Sequence, residues 1–232
     1  MTLPPAGLPT EAGPPEIGRR ALRTPRSAAL AGIAFSVLLS IAVVAVRLEI
    51  PKTPGVAGAW ISDSSRRHAV LFALALVPFA GIAFLWFIGV VRDRVGEAED
   101  RFFATVFLGS GLLFIAMLFA STATASGLVA TVGQAGGPVA PGVWSTGRQV
   151  SHDFLDIAMR MAAVFIMAGS TILHRTQTGP RWLATLGYAI AAAVMVLINF
   201  LGWLGLLFPL WVLVLSVHML VAGFTRIEPA GS

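Results

Sequence analysis

The stretch from Trp182 to Phe224 reads WLATLGYAIAAAVMVLINFLGWLGLLFPLWVLVLSVHMLVAGF and contains no Asp, Glu, Lys or Arg. It is about twice as long as the roughly 20 apolar residues that an α-helix needs to cross the hydrocarbon core of a bilayer. We therefore predict that the stretch contains two membrane-spanning helices joined by a tight turn. Gly202 and Gly205 permit such a turn, and Pro209 suits the first turn of the helix that follows.

Apolar blocks of the same kind recur along the rest of the chain, and they predict an all-α fold. Hydrophobic residues make up 56% of the 232 residues and charged residues only 12%, whereas a soluble domain has about 25% charged residues. The mean hydropathy of +0.83 agrees with this. We predict a polytopic bundle of six transmembrane helices that occupies residues 27–225, with spans at about 27–46, 68–91, 102–128, 152–173, 182–200 and 205–224.

The two ends of the chain are predicted to lie outside this bundle. Residues 1–26 are rich in Pro and Gly, which favours a disordered cytoplasmic tail, and residues 226–232 form a second, short cytoplasmic tail. The alternative for the first segment is a signal peptide. The apolar run 28–46 is longer than the roughly 7–15 apolar residues of a signal peptide, so an uncleaved first span is preferred.

The distribution of Lys and Arg predicts the orientation of the bundle. With the N-terminus in the cytoplasm, the inner segments carry ten of these residues: Arg19, Arg20, Arg23, Arg26, Arg92, Arg94, Arg101, Arg175, Arg181 and Arg226. The outer segments then carry five: Arg47, Lys52, Arg66, Arg67 and Arg148. Because cytoplasmic loops hold the excess of basic residues, both termini are predicted to be cytoplasmic, in a plasma or inner membrane. The net charge of +5 is therefore assigned to contact with the lipid bilayer and not to nucleic acid.

The fourth predicted span carries the main candidate site, which consists of His152, Asp153, Asp156 and Arg160. These residues lie close enough along the chain to share one stripe of a helix. An arginine inside a span is costly unless it is paired, hydrated or able to reach the interface. We therefore predict a ligand or proton path lined by the four side chains. The alternative is that the helix begins at Ser151, that the acids stabilise its first turn, and that Arg160 snorkels outward to pair with Asp156.

The segment from Gly89 to Gly96 follows the pattern G-x-x-x-D-R-x-G and lies between the second and third predicted spans. It resembles the loop at the corresponding place in major facilitator transporters, and the resemblance implies that Asp93 and Arg94 gate a conformational change. The chain departs from that family at residues 97–99, which read Glu-Ala-Glu where the family has basic residues. It is also about half as long as such a transporter. The alternative interpretation is a short charged turn with Gly96 at its corner.

A second short pattern precedes the two helices of the last apolar block. Residues 179–183 read Gly-Pro-Arg-Trp-Leu and are followed by Gly187. This pattern is similar to one in a family of bacterial multi-pass membrane proteins, many of them actinobacterial. The resemblance extends over most of residues 27–225 and implies a bundle of six or seven spans, but no particular biochemical activity.

The residues that commonly carry chemistry are sparse. There are no cysteines, which excludes disulfides, thiolate metal sites and cysteine nucleophiles. His68, His174 and His218, with His152, permit a pair of haem ligands at similar depth but do not indicate one. We predict no cofactor, no metal site and no catalytic residue, and the sequence does not favour an enzyme.

Three classes of function remain open at this stage. The favoured one is an accessory or scaffold subunit of a membrane assembly, partnered by other membrane proteins or by further copies of the chain. Small residues at four-residue spacing, such as Ser121/Ala125 and Ala123/Gly127, favour it because they let helices approach closely. The alternative is a small-solute or proton-coupled transporter that uses the fourth-span cluster and Pro78 as a hinge. The third is a membrane-embedded enzyme or haem protein.

Overall fold

The computed structural model of the chain describes residues 25–49, 63–95, 101–134, 140–176, 180–197 and 202–225. These residues form six α-helices and one short 3₁₀ turn, and none of them belongs to a strand. The helices are α1 (Pro25–Glu49), α2 (Ser64–Val95), α3 (Arg101–Gln134), α4 (Pro141–Thr176), α5 (Arg181–Leu197) and α6 (Leu207–Thr225), with the 3₁₀ turn at Gly202–Leu206. The predicted tails before residue 25 and after residue 225 lie outside the described residues.

Five of the helices are long and apolar enough to cross a membrane, namely α1, α2, α3, α4 and α6. This confirms the prediction of an all-helical, membrane-embedded chain. Helix α5 has 17 residues and is about 25 Å long at roughly 1.5 Å per residue. That length is near the lower limit of about 17 residues for a helix that spans a bilayer.

Helix α4 is longer than the sequence pattern predicts. It begins at Pro141, so residues 141–151, which were expected to form an outer loop, are helical. Proline is well suited to the first position of a helix, where its missing N–H is not needed. The backbone N–H groups of Val143 and Trp144 donate to the carbonyl of Ala140 and complete the first turn. The interpretation that a helix begins at Ser151 is therefore wrong, because Ser151 lies well inside α4.

The centre of the bundle is filled by aromatic rings. Phe35, Phe84, Phe114, Phe165 and Phe208 come from α1, α2, α3, α4 and α6, and each is almost completely buried. The ring of Phe84 lies 4.4 Å from Phe35 and 5.1 Å from Phe165, between ring centroids. Rings in tilted or edge-to-face contact at such distances contribute about 0.5–1.5 kcal/mol per pair beyond their burial. Aromatic packing therefore joins five of the six helices.

The last apolar block forms two helices, α5 and α6. Residues 198–201 between them lie outside the described residues. The 3₁₀ turn Gly202–Leu206 runs directly into α6, and Pro209 lies in the first turn of that helix. A proline is tolerated there because the first N–H groups of a helix have no partner within the helix.

Candidate functional site

The predicted cluster lies along one stripe of α4. The side chains of His152 and Asp153 are exposed, whereas those of Asp156 and Arg160 are half-buried. Gln149, one turn earlier, donates a hydrogen bond from its amide to the Asp153 carboxylate at 2.8 Å. The stripe therefore begins in an exposed, polar part of α4 and continues into its apolar part.

The stripe lies at the edge of the face of α4 that the bundle covers. Ala158 is completely buried, and both Asp156 and Arg160 are two residues from it, which is a rotation of about 200° around a helix. Ile157 and Met167, on the same side of α4 as the stripe, are 43% and 42% exposed. Asp156 and Arg160 are half-buried, so they lie at the boundary between the covered and the open side of α4.

Asp156 and Arg160 do not pair with each other. No hydrogen bond or ion pair joins them, and the ion pair found among the described side chains joins Arg66 to Asp63 at 3.4 Å. The interpretation that Arg160 reaches back to Asp156 is therefore not supported. The structure places the four predicted residues along one stripe of a single helix.

The buried polar side chains of the described core are all serines: Ser36, Ser110, Ser121, Ser170 and Ser216. Ser36 and Ser110 donate to carbonyls of their own helices, each at 2.7 Å to the residue one turn earlier. Such bonds satisfy the hydroxyl within its helix. The centre of the described bundle is therefore lined by apolar side chains and serines, and the ligand or proton path along α4 stays a prediction.

Asp93 and Arg94, the predicted gating residues, lie in the last turns of α2. Their side chains are outside the described residues, so the gating role stays a prediction.

The remaining histidines are scattered. His68 lies in the first turns of α2, His174 in the last turns of α4, and His218 in the second half of α6. Among the described residues, no group of three or more His, Cys, Asp or Glu side chains is placed to hold a metal ion.

A polar contact that the sequence did not predict joins α3 to the extended part of α4. The Ser121 hydroxyl donates to the backbone carbonyl of Ser151 at 2.8 Å, and the Ser151 hydroxyl donates to the carbonyl of Ser121 at 3.0 Å. The two hydroxyl oxygens are 3.2 Å apart. Nearby, the Leu128 side chain covers Gly147. We call the reciprocal contact the Ser121–Ser151 clamp, and it accounts for the packing of the first turns of α4 on α3.

A groove that the sequence also did not predict runs between α2 and α3. Its volume is about 350 Å³, and side chains of both helices line it, including Leu71, Leu74, Ala75, Pro78, Thr122 and Ser126. The Thr122 hydroxyl donates to the Leu118 carbonyl at 2.8 Å. The volume of the groove is near the lower end of the range for small-molecule sites, which is roughly 300–1,000 Å³. Pro78 and Ala123, which the sequence marks as a hinge and as a small-residue position, both line it.

The end of α2 next to the groove is capped by Asp63. Its carboxylate accepts hydrogen bonds from the Ser65 hydroxyl at 2.5 Å and the Ser65 N–H at 3.0 Å. The Ser65 hydroxyl bond, followed by the backbone bond from Arg66, holds the pKa of Asp63 below its ordinary value of 3.8. An ionised acid at the start of a helix also compensates the helix dipole.

The arrangement offers a charged stripe on α4 and an apolar groove between α2 and α3. The two family resemblances seen in short segments of the sequence stay predictions. No family model, no curated protein and no solved structure matches this chain.

Proposed function

We propose that this chain is a non-catalytic subunit of a membrane assembly, which binds a partner membrane protein through the charged stripe of α4. The observation that carries the proposal is the position of Asp156 and Arg160. Both are half-buried at the edge of the covered face of α4, and they are not paired with each other. A charged side chain in the middle of a span costs about 2.5–3.5 kcal/mol in membrane insertion, unless something pairs with it.

A partner helix with complementary charges would offset that cost. Asp156 and Arg160 are one helical turn apart and opposite in charge, so they match a neighbouring helix that presents a basic and an acidic residue one turn apart. Hydrogen-bonded polar contacts between membrane helices typically contribute about 0.6–1.7 kcal/mol each. The stripe therefore offers both affinity and a defined register for a partner.

The packed core supports a structural role over a transport role. Five fully buried phenylalanines from five helices fill the centre, and the buried polar side chains of the described residues are serines. A carrier needs polar groups along a path that opens alternately to the two sides. Asp156 and Arg160 lie instead at the partly exposed side of α4.

The proposal includes the topology in which this assembly would form. We place α5 in the membrane as the sixth span, with both termini in the cytoplasm of a plasma or inner membrane. The excess of Arg in the inner segments supports this orientation. The packing of α5 against the long helix α4 supports its place in the membrane, since the Tyr188 hydroxyl lies 2.8 Å from the Thr171 hydroxyl.

The test is to purify the chain gently from its native membrane and to identify its bound proteins by native mass spectrometry. We expect a stoichiometric membrane protein partner, which is lost in the double variant Asp156→Asn, Arg160→Gln. Arg148→Gln is the matched control, because Arg148 is exposed on the same helix. A monomer, a homo-oligomer, or a complex that survives the double variant would overturn the proposal.

A proton-coupled carrier is the second candidate, favoured by the same half-buried Asp156 and Arg160 on an apolar helix. In this case the stripe would face water in a second conformation. Proteoliposomes that contain a pH-sensitive dye would show proton movement across the bilayer, and Asp156→Asn would abolish it while the protein remains folded. Vesicles without protein and vesicles with Arg148→Gln serve as controls. Equal proton leak in all of these samples would exclude the carrier.

A further inference from the structure

We propose that one water molecule binds inside the bundle at the crossing of α4, α5 and α6, where it bridges the Trp211 indole and the Ser170 hydroxyl. Ser170 lies almost three turns beyond Arg160 along α4. The proposal therefore concerns a different part of that helix from the charged stripe, and it does not depend on the partner proposed above.

The site is marked by two buried polar atoms. Among the described residues, neither the Oγ atom of Ser170 nor the Nε1 atom of Trp211 has a hydrogen-bond partner in the protein. Both side chains are almost completely buried. A polar group without a partner is costly in an apolar environment, so buried polar groups are as a rule bonded to protein or to ordered water.

The two atoms lie next to the same point on α5. A β-carbon at Gly187 would collide with the Ser170 hydroxyl and would lie 2.8 Å from Trp211 Nε1. Because both atoms lie within 2.8 Å of that one position, a single oxygen atom can reach both of them. The indole N–H only donates, whereas a hydroxyl both donates and accepts. A water molecule, which also does both, satisfies the two groups together.

The indole is held in one orientation by its neighbours. Its Cη2 atom lies 3.1 Å from the position that a β-carbon of Gly169 would take, and the Phe107 ring lies 3.3 Å from the same position. The opposite end of the indole, with Nε1, lies at Gly187. A ring enclosed in this way cannot turn towards another acceptor, because packed interiors leave few voids. The N–H therefore stays directed at the crossing of the three helices.

The Ser170 hydroxyl differs from other buried hydroxyls of the bundle. Ser36 and Ser110 each donate to the carbonyl one turn earlier in their own helix, at 2.7 Å, which is the common arrangement for a serine inside a helix. The Ser170 hydroxyl points instead across to Gly187 of α5. Its partner is therefore to be sought at the crossing and not within α4.

Ser216 of α6 provides a matched comparison. It is also completely buried, its hydroxyl has no partner among the described residues, and it lies where a β-carbon of Gly32 would be. The next nearest atoms to that position are carbons of the Phe87 ring, at 2.9 and 3.1 Å. Ser216 thus shares the burial of Ser170 and its contact with a glycine, but an aromatic ring takes the place of the indole N–H.

The site lies deep enough to retain a water molecule. Ser170 is six residues before the end of α4, and Gly187 is six residues after the start of α5. Each is therefore about 9 Å from the ends of these two helices. Buried waters of this kind bond to groups that would otherwise be unsatisfied, and they are costly to remove.

The first test is X-ray radiolysis of the full chain in detergent micelles, followed by mass spectrometry of the oxidised residues. Radiolysis of a bound water forms a hydroxyl radical that reacts with the nearest side chain. We expect oxidation of Trp211 although it is only 1% exposed, and none of Phe208, which is equally buried on the same helix. The exposed Trp203 reports the dose of radicals from bulk water.

Two serine variants distinguish the bound water from bulk radicals. Ser170→Ala removes one of the two groups that hold the water, so Trp211 should lose most of its oxidation. Ser216→Ala should leave that oxidation unchanged. An unmodified Trp211 in the wild type, or equal oxidation of Trp211 in the two serine variants, would overturn the proposal.

The second test compares the stability of the same variants. Ser170→Ala should raise the equilibrium constant of unfolding about five- to thirtyfold, because it disrupts the bonding of a buried donor. Ser216→Ala should leave that constant unchanged or lower it, since it removes a hydroxyl that has no partner. In a Trp211→Phe background, the effect of Ser170→Ala should disappear.

The two tests together separate the possible arrangements. A Ser170→Ala variant as stable as Ser216→Ala, or an effect that persists with Trp211→Phe, would show that the two groups are not linked. A direct bond between the two side chains would link them in stability without oxidation of Trp211. Either result would overturn the proposed water.

Discussion

At the scale of single residues, Gly187 marks the closest approach of three helices. A β-carbon at this position would collide with the Ser170 hydroxyl of α4 and would lie 2.8 Å from the indole Nε1 of Trp211 on α6. Trp211 is only 1% exposed, and a buried indole cannot move aside. A glycine is therefore required here by the packing of the neighbouring helices and not by its own backbone.

Substitution of this glycine should destabilise the bundle. We expect Gly187→Ala to lower the free energy of unfolding by about 1–3 kcal/mol, the usual cost of inserting one carbon into a packed core. Gly109→Ala is the matched control on α3, because a β-carbon there meets nothing within 4 Å. An alanine in an open helical position should stabilise by about 0.5–1 kcal/mol. Unfolding in mixed detergent micelles measures both, and equal stability of the two variants would contradict the packing seen at Gly187.

A second prediction at this scale concerns the protonation of Asp63. Its pKa is lowered first by the hydrogen bond from the Ser65 hydroxyl. Because the folded pKa is below the unfolded one, the cap stabilises the fold above the unfolded pKa, and this contribution is lost as the pH falls through the folded pKa. Ser65→Ala should therefore raise the pKa of Asp63 towards 3.8.

Carboxyl carbon chemical shifts, measured by NMR during a pH titration in micelles, report this change directly. Ser64→Ala is the control, because the hydrogen bonds to the Asp63 carboxylate come from Ser65 and Arg66. A Ser65→Ala variant with the same Asp63 titration as the wild type would show that the hydroxyl does not stabilise the carboxylate.

At the scale of elements, the first three turns of α4 depend on α3. The sequence pattern places the start of this helix near His152, because residues 141–151 are polar and glycine-rich and contain no apolar run that would indicate a helix. The structure nevertheless has a continuous helix there, held on α3 by the Ser121–Ser151 clamp and by Leu128 against Gly147. Contacts between distant residues can decide a helix boundary that local sequence cannot.

Removal of the clamp should weaken this part of α4 more than the rest. We expect Ser121→Ala to destabilise by about 0.6–1.7 kcal/mol, as measured for hydrogen bonds between membrane helices. The effect should concentrate in faster amide hydrogen exchange at residues 141–151. Thr124→Ala is the control on the same helix, since its hydroxyl bonds only to the Ala120 carbonyl of α3. Unchanged exchange in Ser121→Ala would mean that apolar contacts alone hold the extension.

At the scale of the whole molecule, orientation is the property that the helices alone do not reveal. The chain has no cysteine, so a single introduced cysteine is a unique label. With both termini in the cytoplasm, Ser145→Cys at the start of α4 should react with a membrane-impermeant maleimide added outside intact cells. Arg181→Cys at the start of α5 should react only after the cells are opened. Both positions are exposed, and the reverse pattern would invert the topology.

The sequence by itself determined that the chain is helical and built for a membrane. That conclusion depends only on the length and composition of apolar runs, such as the one from Trp182 to Phe224, and each run specifies its own environment whatever its neighbours are. The grouping of His152, Asp153, Asp156 and Arg160 on one stripe followed equally from helical periodicity. These features are local, and local pattern is sufficient for them.

The tertiary structure decided what those features face. Only the packing of the bundle shows that Asp156 and Arg160 are half-buried and do not pair with each other. The groove beside Pro78 likewise depends on the small residues Ala123 and Ser126 of α3. Both are more than forty positions away from Pro78 along the chain. Which side of a helix is covered depends on contacts between distant segments, and no single segment of the sequence contains that information.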